Sequence, residues 1–342
     1  MSAADAKRRV AVLGDGGWGT AIALLLHSNG FDVALWGAFP EYTEEMRTTR
    51  ANRKFLPGPR LPDDLRLEHD AAAATEGATL AVVAIPTKFM RSALSRIAED
   101  LPRDLPYVTV AKGVEEERLK RGTEIIAGVL GEVRLGILSG PSHAEEVSRG
   151  LPTAVVAASA DENLASDVQL AFMSKTFRVY TSDDVIGVEI AGAVKNVMAI
   201  AAGICDGLGL GDNSKAALVT RGLAEMTRLG VDLGANPSTF RGLAGVGDLM
   251  TTCYSKHSRN RSVGERLGKG ETGSQIESSM EMVAEGVRTT KGLTGLARER
   301  GVDMPIAEEV RKVLFEDKPV REIVPALMER PPRAEREPFE SA

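Results

Sequence analysis

The sequence predicts an α/β protein of two domains, in which a doubly wound sheet precedes an all-helical domain. Three observations support this prediction: a length of 342 residues, short β-rich runs that alternate with helical stretches in the first half, and long apolar helical stretches thereafter. Domains usually contain about 100–200 residues, so the length fits two of them. We expect the first domain over residues 1–190 and the second over residues 191–330.

Composition and charge exclude several classes of protein. The chain has 43% hydrophobic and 26% charged residues and a net charge of −6, which is typical of a globular protein without the basic surface that binds nucleic acid. Polar residues interrupt the most apolar stretch, 185–205, and residues 1–9 lack the apolar core of a secretion signal. We therefore expect no membrane span and a cytoplasmic location. The charged, proline-rich residues 331–342 are expected to be disordered.

The cysteines and histidines do not suggest a metal site. Cys205 and Cys253 lie in apolar or threonine-rich segments without a second Cys or His at the spacing of metal ligands. The four histidines show neither an HxxH nor an HExxH pattern. We expect two buried free thiols and no bound metal.

The first apolar run ends in a glycine-rich turn. Residues 9–27 comprise a β-rich run, the turn GDGGWG and a helical stretch. Gly14, Gly16 and Gly19 match the pattern GxGxxG, whose glycines permit the tight turn, the approach of a pyrophosphate and close packing of helix on strand. A second strand at 32–36 completes the unit, which predicts a Rossmann-like domain that binds a dinucleotide.

Later apolar runs alternate with helical stretches, which favours a mainly parallel sheet covered on both faces. These runs are residues 80–85, 107–110, 135–138, 153–158 and 177–180. Ligands of such sheets bind at the carboxyl ends of the strands. Lys112 and the segment 139–142 follow two of these strands and are therefore candidates for ligand binding.

The end of the second strand leaves the choice between NAD and NADP open. An acid there holds the ribose 2′-hydroxyl of NAD, whereas an arginine suits the 2′-phosphate of NADP. Residues 36–39 read WGAF and provide neither group.

A lysine interrupts the apolar helix predicted over residues 185–207. Isolated lysines of this kind commonly reach solvent or pair with a nearby acid, here Glu189. Small residues occupy the positions around Lys195 on the helix surface, so we expect its ammonium to point into a cleft. There it needs a partner, and Asp248 and Asn196 are the candidates.

Two polar segments beyond this helix have more than one interpretation. Asp248 lies in a glycine-flanked loop, where it could act at the site or as the N-cap of the next helix. Arg259 beside Asn260 could hold a small phosphate through a fork of N–H donors, or the segment could be a solvated loop.

Taken together, these segments resemble the soluble, bacterial NAD(P)-dependent glycerol-3-phosphate dehydrogenases over nearly the whole chain. The matching segments are VLGDGGWGT at 12–20, NRKFLPG at 52–58, AKG at 111–113, LSGPS at 138–142, GAVKN at 192–196, GVGDL at 245–249 and SRN at 258–260. The run from residue 189 to residue 213 is particularly specific to this family.

The resemblance implies a role for each matching residue. Lys195 is implied to be the catalytic acid and base. The residues implied to bind substrate are Lys112, Gly140, Ser142, Asn196, Asp248, Thr252, Ser258, Arg259 and Asn260. Those implied to bind the dinucleotide are Gly14, Gly16, Gly17, Trp18, Gly19, Lys112, Ala144, Arg259, Val283 and Glu285. Many relatives carry a basic residue where this chain has Gly37 and Ala38, so no preference for NADP is implied.

The implied reaction is reversible hydride transfer between NAD(P)H and dihydroxyacetone phosphate, which yields sn-glycerol 3-phosphate for phospholipid synthesis. We expect a phosphorylated triose as the substrate, no nucleic acid as a partner, and a homodimer because the second domain has apolar helices. One alternative is a dehydrogenase of the same plan that acts on a 3-hydroxy acid, with Arg259 holding a carboxylate. The other is a nucleotide-binding or redox-sensing protein without catalytic activity.

Overall fold

The computed structural model describes residues 8–279 and 284–335. Its internal contacts divide the chain into two units, one comprising residues 1–111 and 122–185 and the other comprising residues 112–121 and 186–342. The division therefore falls at Val185, five residues before the boundary at residue 190 that we expect from the sequence. The short segment 112–121 groups with the helical unit although it lies between two elements of the first unit in the chain.

The first unit contains an eight-stranded sheet in the order β3-β2-β1-β4-β5-β6-β7-β8. Its strands are β1 (Arg9–Leu13), β2 (Asp32–Trp36), β3 (Arg66–Glu68), β4 (Ala78–Val83), β5 (Tyr107–Thr109), β6 (Leu135–Ser139), β7 (Thr153–Ala158) and β8 (Phe177–Ser182). All neighbours pair in parallel except β6 and β7. The mainly parallel, doubly wound sheet is thus confirmed, and the three-residue β3 is an addition that is too short to show a sequence pattern.

The helices of the first unit connect these strands. They are α1 (Gly17–Ser28), α2 (Pro40–Thr49), α3 (Ala71–Thr75), α4 (Thr87–Ile97), α5 (Gly122–Leu130), α6 (Ala144–Val147) and α7 (Glu162–Phe172). Two separate apolar clusters pack against the sheet, as expected for a sheet covered on both faces. Strand β1 lies between β2 and β4, where the strand order reverses. This reversal is the position at which open α/β sheets bind ligands, and the glycine turn follows β1 directly.

The second unit is helical, as predicted. Its helices are α8 (Val185–Leu208), α9 (Gly211–Asp232), α10 (Asp248–Tyr254), α11 (Arg259–Gly268), α12 (Gly273–Ser279), α13 (Glu285–Arg300), α14 (Pro305–Phe315) and α15 (Ile323–Met328). Over residues 186–279 and 284–335 no strand occurs. Both cysteines of this unit are buried and free, which confirms the expectation for them.

Helix α8 is the central helix of this unit. Every residue from 187 to 205 is buried. By length and composition alone α8 could cross a membrane, but 89% of its most apolar window is buried inside the fold, so it is a core helix. Because water is excluded along residues 187–205, each polar side chain of this stretch needs a partner from a neighbouring element.

Two glycines bring the backbones of α8 and α11 into direct contact. A Cβ atom on Gly203 would lie 1.9 Å from the carbonyl oxygen of Arg261, and a Cβ atom on Gly264 would lie 1.9 Å from that of Ile200. Neither position can accept a side chain without separating the helices. This close approach places the first turn of α11 beside the polar residues of α8.

The C-terminal residues lie only partly within the described structure. Residues 331–335 are exposed and form neither helix nor strand, although Arg333 forms an ion pair with Asp303. The remainder of the segment that we expect to be disordered, 336–342, lies outside the described residues.

Candidate active site

The buried ammonium of Lys195 lies against the first turn of α10. Its Nζ atom donates to Oδ1 of Asp248 at 2.6 Å and to Oγ1 of Thr252 at 2.9 Å. Lys195 is only 7% exposed. The nearby acid of its own helix, Glu189, forms an ion pair with Arg121. The side chain of Lys195 therefore points into the unit and does not reach solvent.

Asp248 is shared between two lysines. Its second carboxylate oxygen, Oδ2, accepts from Nζ of Lys112 at 2.8 Å, while Oδ1 accepts from Lys195. Asp248 is the first residue of α10, and the N-cap position belongs to Gly247, at the end of a π-helical turn. The interpretation of Asp248 as a helix N-cap is therefore wrong, because its carboxylate faces the two lysines. We call these three residues the Lys112–Asp248–Lys195 cluster.

A chain of side-chain amides borders this cluster. Nδ2 of Asn196 donates to the carbonyl oxygen of Lys112 at 2.8 Å, and Nδ2 of Asn260 donates to Oδ1 of Asn196 at 2.9 Å. The backbone N–H of Gly286 donates to Oδ1 of Asn260 at 2.9 Å. These bonds fix the orientation of both amides and connect the segment 112–121 to α8, α11 and α13.

The charges of the cluster shift the pKa values of its members. Burial lowers the pKa of Lys195 to about 8; Asp248 opposes this effect and Lys112 adds to it. Burial alone would raise the pKa of Asp248, but the ammonium groups of Lys112 and Lys195 outweigh burial and hold it below its ordinary value. A carboxylate between two lysines thus keeps a surplus of positive charge in a buried place. Such a place stabilises an oxyanion and can supply it with a proton.

The remaining candidates in the second unit lie around the start of α11 and α13. Ser258 is the N-cap of α11, and its hydroxyl accepts from the N–H of Arg261 at 3.2 Å. Arg259 is exposed, whereas Asn260 is buried. Glu285 is the first residue of α13. Val283 lies outside the described residues.

The glycine turn of the first unit has the shape that the sequence pattern predicts. Gly14 has a φ angle of +122°, and a Cβ atom there would lie 2.8 Å from the backbone of Ala84. Gly19 lies against the carbonyl oxygen of Gly14, only 1.9 Å from where its Cβ atom would be. Both glycines are thus required by the fold itself, for the turn and for close packing of α1.

Gly16 differs from its neighbours because neither its backbone angles nor its surroundings among the described residues require a glycine. It is the N-cap of α1 with φ −62° and ψ 173°, values that other residues adopt readily. In the part of the chain that the structure describes, no atom beyond its chain neighbours lies within 4 Å of where a Cβ atom would be. The open space in front of Gly16 lies at the N-terminus of α1, whose first N–H groups have no partner within the helix, and it fits the pyrophosphate of a dinucleotide.

The next two residues of the turn are held by packing. A Cβ atom on Gly17 would lie 2.5 Å from the carbonyl oxygen of Phe55. Trp18 is half-buried and packs against the apolar core of the first unit.

The end of β2 is occupied by an acid from the glycine turn, which the sequence analysis did not single out. A Cβ atom on Gly37 would lie 2.5 Å from Oδ2 of Asp15 and 2.8 Å from Oγ1 of Thr43. Burial raises the pKa of Asp15 to about 6. Packing against Asp15 and Thr43 therefore explains why residue 37 is a glycine. The lack of an acid or arginine at this position does not indicate which dinucleotide binds.

Three more candidates of the first unit follow β6. Gly140 has a φ angle of +143°, and a Cβ atom there would lie 2.9 Å from Cα of Val155. The hydroxyl of Ser142 donates to the carbonyl oxygen of Gly140 at 2.9 Å. Ala144 is the first residue of the four-residue helix α6. Among the residues that the structure describes, no group of three or more His, Cys, Asp or Glu side chains could hold a metal ion.

Known protein families match both units. The N-terminal model of the NAD-dependent glycerol-3-phosphate dehydrogenases matches residues 9–165, and the C-terminal model matches residues 184–325. The chain belongs to this family. It is similar to glycerol-3-phosphate dehydrogenase [NAD(P)+] from Chlorobium phaeobacteroides, with 49% identity over 96% of this chain and 99% of the relative.

Two further proteins support the same assignment. The enzyme of that name from Moorella thermoacetica is 50% identical over 95% of this chain and 97% of its own. The crystal structure of glycerol-3-phosphate dehydrogenase from Coxiella burnetii has a TM-score of 0.91 at 38% identity and covers 95% of this chain and 99% of that one. Members of this dehydrogenase family use NAD or NADP.

Gly16→Ala tests whether the space in front of the glycine turn holds a ligand. Because the backbone angles and surroundings of Gly16 accept a Cβ atom, we expect an unchanged melting temperature but an affinity for NADH and NADPH that is lower by about tenfold or more, measured by fluorescence titration. Gly14→Ala is the contrasting variant, since it should lower the melting temperature itself. Normal dinucleotide affinity in Gly16→Ala would show that this space is not the pyrophosphate site.

Proposed function

We propose that this chain catalyses reversible hydride transfer between NAD(P)H and dihydroxyacetone phosphate, with sn-glycerol 3-phosphate as the product of reduction. The proposal rests on the buried ammonium of Lys195, which Asp248 and Thr252 hold by hydrogen bonds in a member of this dehydrogenase family. A ketone that accepts hydride becomes an alkoxide and needs a proton at the same oxygen. A fixed ammonium with a lowered pKa is suited to supply it.

The dinucleotide, when bound, supplies or accepts the hydride. The residues of this chain that would hold it are those of the glycine turn, where Gly16 leaves room for the pyrophosphate and the first N–H groups of α1 are unpaired within the helix. The remainder of the chemistry is proton transfer and charge stabilisation by the second unit.

Lys195 can work in both directions because its pKa is close to the physiological pH. In reduction, the protonated form donates from Nζ to the substrate oxygen, and in oxidation the neutral form accepts the hydroxyl proton. Asp248 keeps the ammonium oriented through Oδ1 and favours its charged form. Lys112 donates to the other oxygen of Asp248, and its positive charge lowers the pKa of Lys195, which limits the increase that Asp248 causes.

The substrate phosphate needs a cation that can reach solvent. Arg259 is exposed on the first turn of α11, whereas the neighbouring Asn260 already uses its Oδ1 and Nδ2 atoms for Gly286 and Asn196. We therefore assign phosphate binding to the guanidinium of Arg259, which can form a bidentate pair. Asn260 would instead keep Asn196 and the Lys112 backbone in place.

The setting of the reaction follows from its product. Glycerol 3-phosphate is the backbone of phospholipids, and we propose that the enzyme supplies it in the cytoplasm. We also propose a homodimer, whose interface would cover some of the exposed apolar side chains of the second unit, which include Met250, Val324 and Met328.

The role of Lys195 predicts both a rate loss and a pH dependence. Lys195→Ala should lower kcat by about 10²–10⁴-fold without weakening NADH binding, because only the proton transfer is lost. With a pKa of about 8 for Lys195, the rate of ketone reduction in the unmodified enzyme should fall as the pH rises through this value, since the ammonium is lost. The rate of alcohol oxidation should rise over the same range. Near-normal turnover in Lys195→Ala would disprove the assignment.

The role of Arg259 predicts a dependence on the substrate phosphate. Absorbance at 340 nm should show rapid oxidation of NADH or NADPH with dihydroxyacetone phosphate and little with unphosphorylated dihydroxyacetone. Arg259→Ala should raise the KM for the phosphorylated ketone by about tenfold or more, because a charged hydrogen bond is worth about 1.5–3 kcal/mol.

Lys256→Ala removes an exposed cation three residues before Arg259 and should leave the KM for dihydroxyacetone phosphate unchanged.

Preferential turnover of 3-hydroxy acids would identify the carboxylate-specific alternative. Dinucleotide binding without turnover on any of these substrates would indicate a binding protein.

A further inference from the structure

Residues 112–121 form a small hairpin, which we call the Lys112 hairpin. Val114 and Arg121 face each other in an antiparallel bridge. The N–H of Glu115 donates to the carbonyl oxygen of Lys120 at 2.8 Å, and the N–H of Leu119 donates to that of Glu115 at 3.1 Å. These bonds close the turn and hold the segment before it alongside the segment after it.

Both ends of the hairpin are fastened to the same face of α8. Nη1 of Arg121 donates to Oε2 of Glu189 at 2.5 Å, and the carbonyl oxygen of Lys112 accepts from Asn196 at 2.8 Å. Glu189 and Asn196 are seven residues apart, which is about two turns of an α-helix, so their side chains project on the same side. The hairpin therefore contacts α8 at two residues, Glu189 and Asn196, and Lys195 lies directly before the second of them in the helix.

Helix α13 supports the middle of the hairpin. A Cβ atom on Gly292 would lie 2.8 Å from the carbonyl oxygen of Glu115, so the two backbones are in contact. Glu116 pairs with Lys291 at 3.0 Å and with Arg288 at 3.5 Å. The side chains of these last two ion pairs are 33% to 39% exposed, so the pairs contribute little to stability.

The ion pair between Arg121 and Glu189 is an inefficient way to stabilise a fold. The side chain of Glu189 is 3% exposed and that of Arg121 is 17% exposed. Removing two charges from water offsets most of their attraction, and apolar residues of similar size often stabilise a protein equally well. An ion pair does, however, impose a direction and a distance that apolar contacts do not.

We propose that the Arg121–Glu189 pair is a positioning device for catalysis, which fixes the Lys112 hairpin so that Nζ of Lys112 engages Asp248. The inference rests on the proposed function, because it assigns Arg121 and Glu189 an effect on the proton donor Lys195. They act through the backbone of the hairpin, whose first residue supplies the second ammonium to the carboxylate of Asp248.

The predicted consequence is a change in the pH profile. The charged groups that act on Lys195 are Asp248 from α10 and Lys112 from the hairpin. The neighbouring thiol of Cys253 stays neutral because burial raises its pKa to about 12. When Lys112 leaves Asp248, Lys195 loses a repelling cation and gains a larger share of the carboxylate. Its pKa must then rise. The fall in the rate of ketone reduction at high pH, which we call the alkaline limb of the pH profile, must therefore move to higher pH.

The test compares Arg121→Ala, Glu189→Gln and Arg121→Lys with Lys112→Met. We expect Arg121→Ala and Glu189→Gln to lower kcat by roughly 10- to 100-fold, as small displacements at a site do, and to move the alkaline limb upward as Lys112→Met does. Compared with Arg121→Ala, Arg121→Lys should recover part of the wild-type kcat and part of the wild-type position of the alkaline limb. Arg288→Ala is the matched control: it removes another cation that contacts the hairpin, but kcat and the limb should not change.

A double-mutant cycle separates positioning from a general structural effect. In the Lys112→Met background, Arg121→Ala should move the limb no further, because its effect passes through Lys112. A further shift would overturn the proposal. An alkaline limb at the wild-type pH in Glu189→Gln would also overturn it. Glutamine keeps the shape of glutamate and one hydrogen-bond acceptor, so this variant provides the test if Arg121→Ala does not fold.

A readout without turnover distinguishes this inference from the proposed function. The Cε resonance of Lys195 in ¹³C-lysine-labelled protein, assigned with Lys195→Arg, reports its pKa directly. If the wild-type chain does not reduce dihydroxyacetone phosphate, the proposed function fails, whereas a raised pKa of Lys195 in Arg121→Ala would still support the positioning. An unchanged pKa in that variant would overturn the positioning even if the wild-type enzyme is active.

Discussion

The carboxylate of Asp248, shared by two ammonium groups, is the interaction on which the rest of the second unit depends. Its side chain is 2% exposed, and those of Lys195 and Lys112 are 8% and 12% exposed. A buried ammonium without a carboxylate partner would lose its proton, and a buried carboxylate without a cation would gain one. The three groups therefore keep their charges only as a set, and the fold has to bring them together from α8, α10 and the Lys112 hairpin.

The burial of α8 explains why this requirement shapes so much of the unit. Three polar residues lie in the buried stretch 187–205 of α8, and neighbouring elements satisfy each of them. Glu189 meets Arg121 of the hairpin, Lys195 meets Asp248 of α10, and Asn196 lies between the Lys112 carbonyl and Asn260 of α11. The backbone contact of α8 with α11 is what allows the last of these bonds. The contacts that give the buried polar side chains of α8 their hydrogen-bond partners are thus the same contacts that assemble the site.

Much of this could be predicted from the sequence, because it follows from local patterns. The alternation of apolar runs and helices gives the sheet and its parallel pairing, and the glycine turn identifies the dinucleotide half. A lysine within an apolar helix needs a buried partner, and Asp248 is among the candidates for that reason. The strand β3 has three residues, too few for an alternation to be recognised.

The features that could not be predicted depend on contacts between distant segments. No spacing in the sequence connects Arg121 with Glu189, although a buried acid in an apolar helix does signal that some cation must reach it. The grouping of residues 112–121 with the helical unit likewise results from packing on α8 and α13. Asp248 resembles an N-cap because glycines precede it; only the neighbouring lysines show that its carboxylate faces inward. Asp15 fills the end of β2, which explains Gly37 but has no local signature.

The central claim is that Asp248 sets the proton affinity of Lys195, and Asp248→Asn tests it most directly. Asparagine keeps the size and one acceptor but removes the charge that favours the ammonium, so the pKa of Lys195 must fall. In measurements of ketone reduction against pH, the account predicts that the alkaline limb of Asp248→Asn moves to lower pH, with the enzyme still folded. An unchanged limb, or a shift to higher pH, would contradict it.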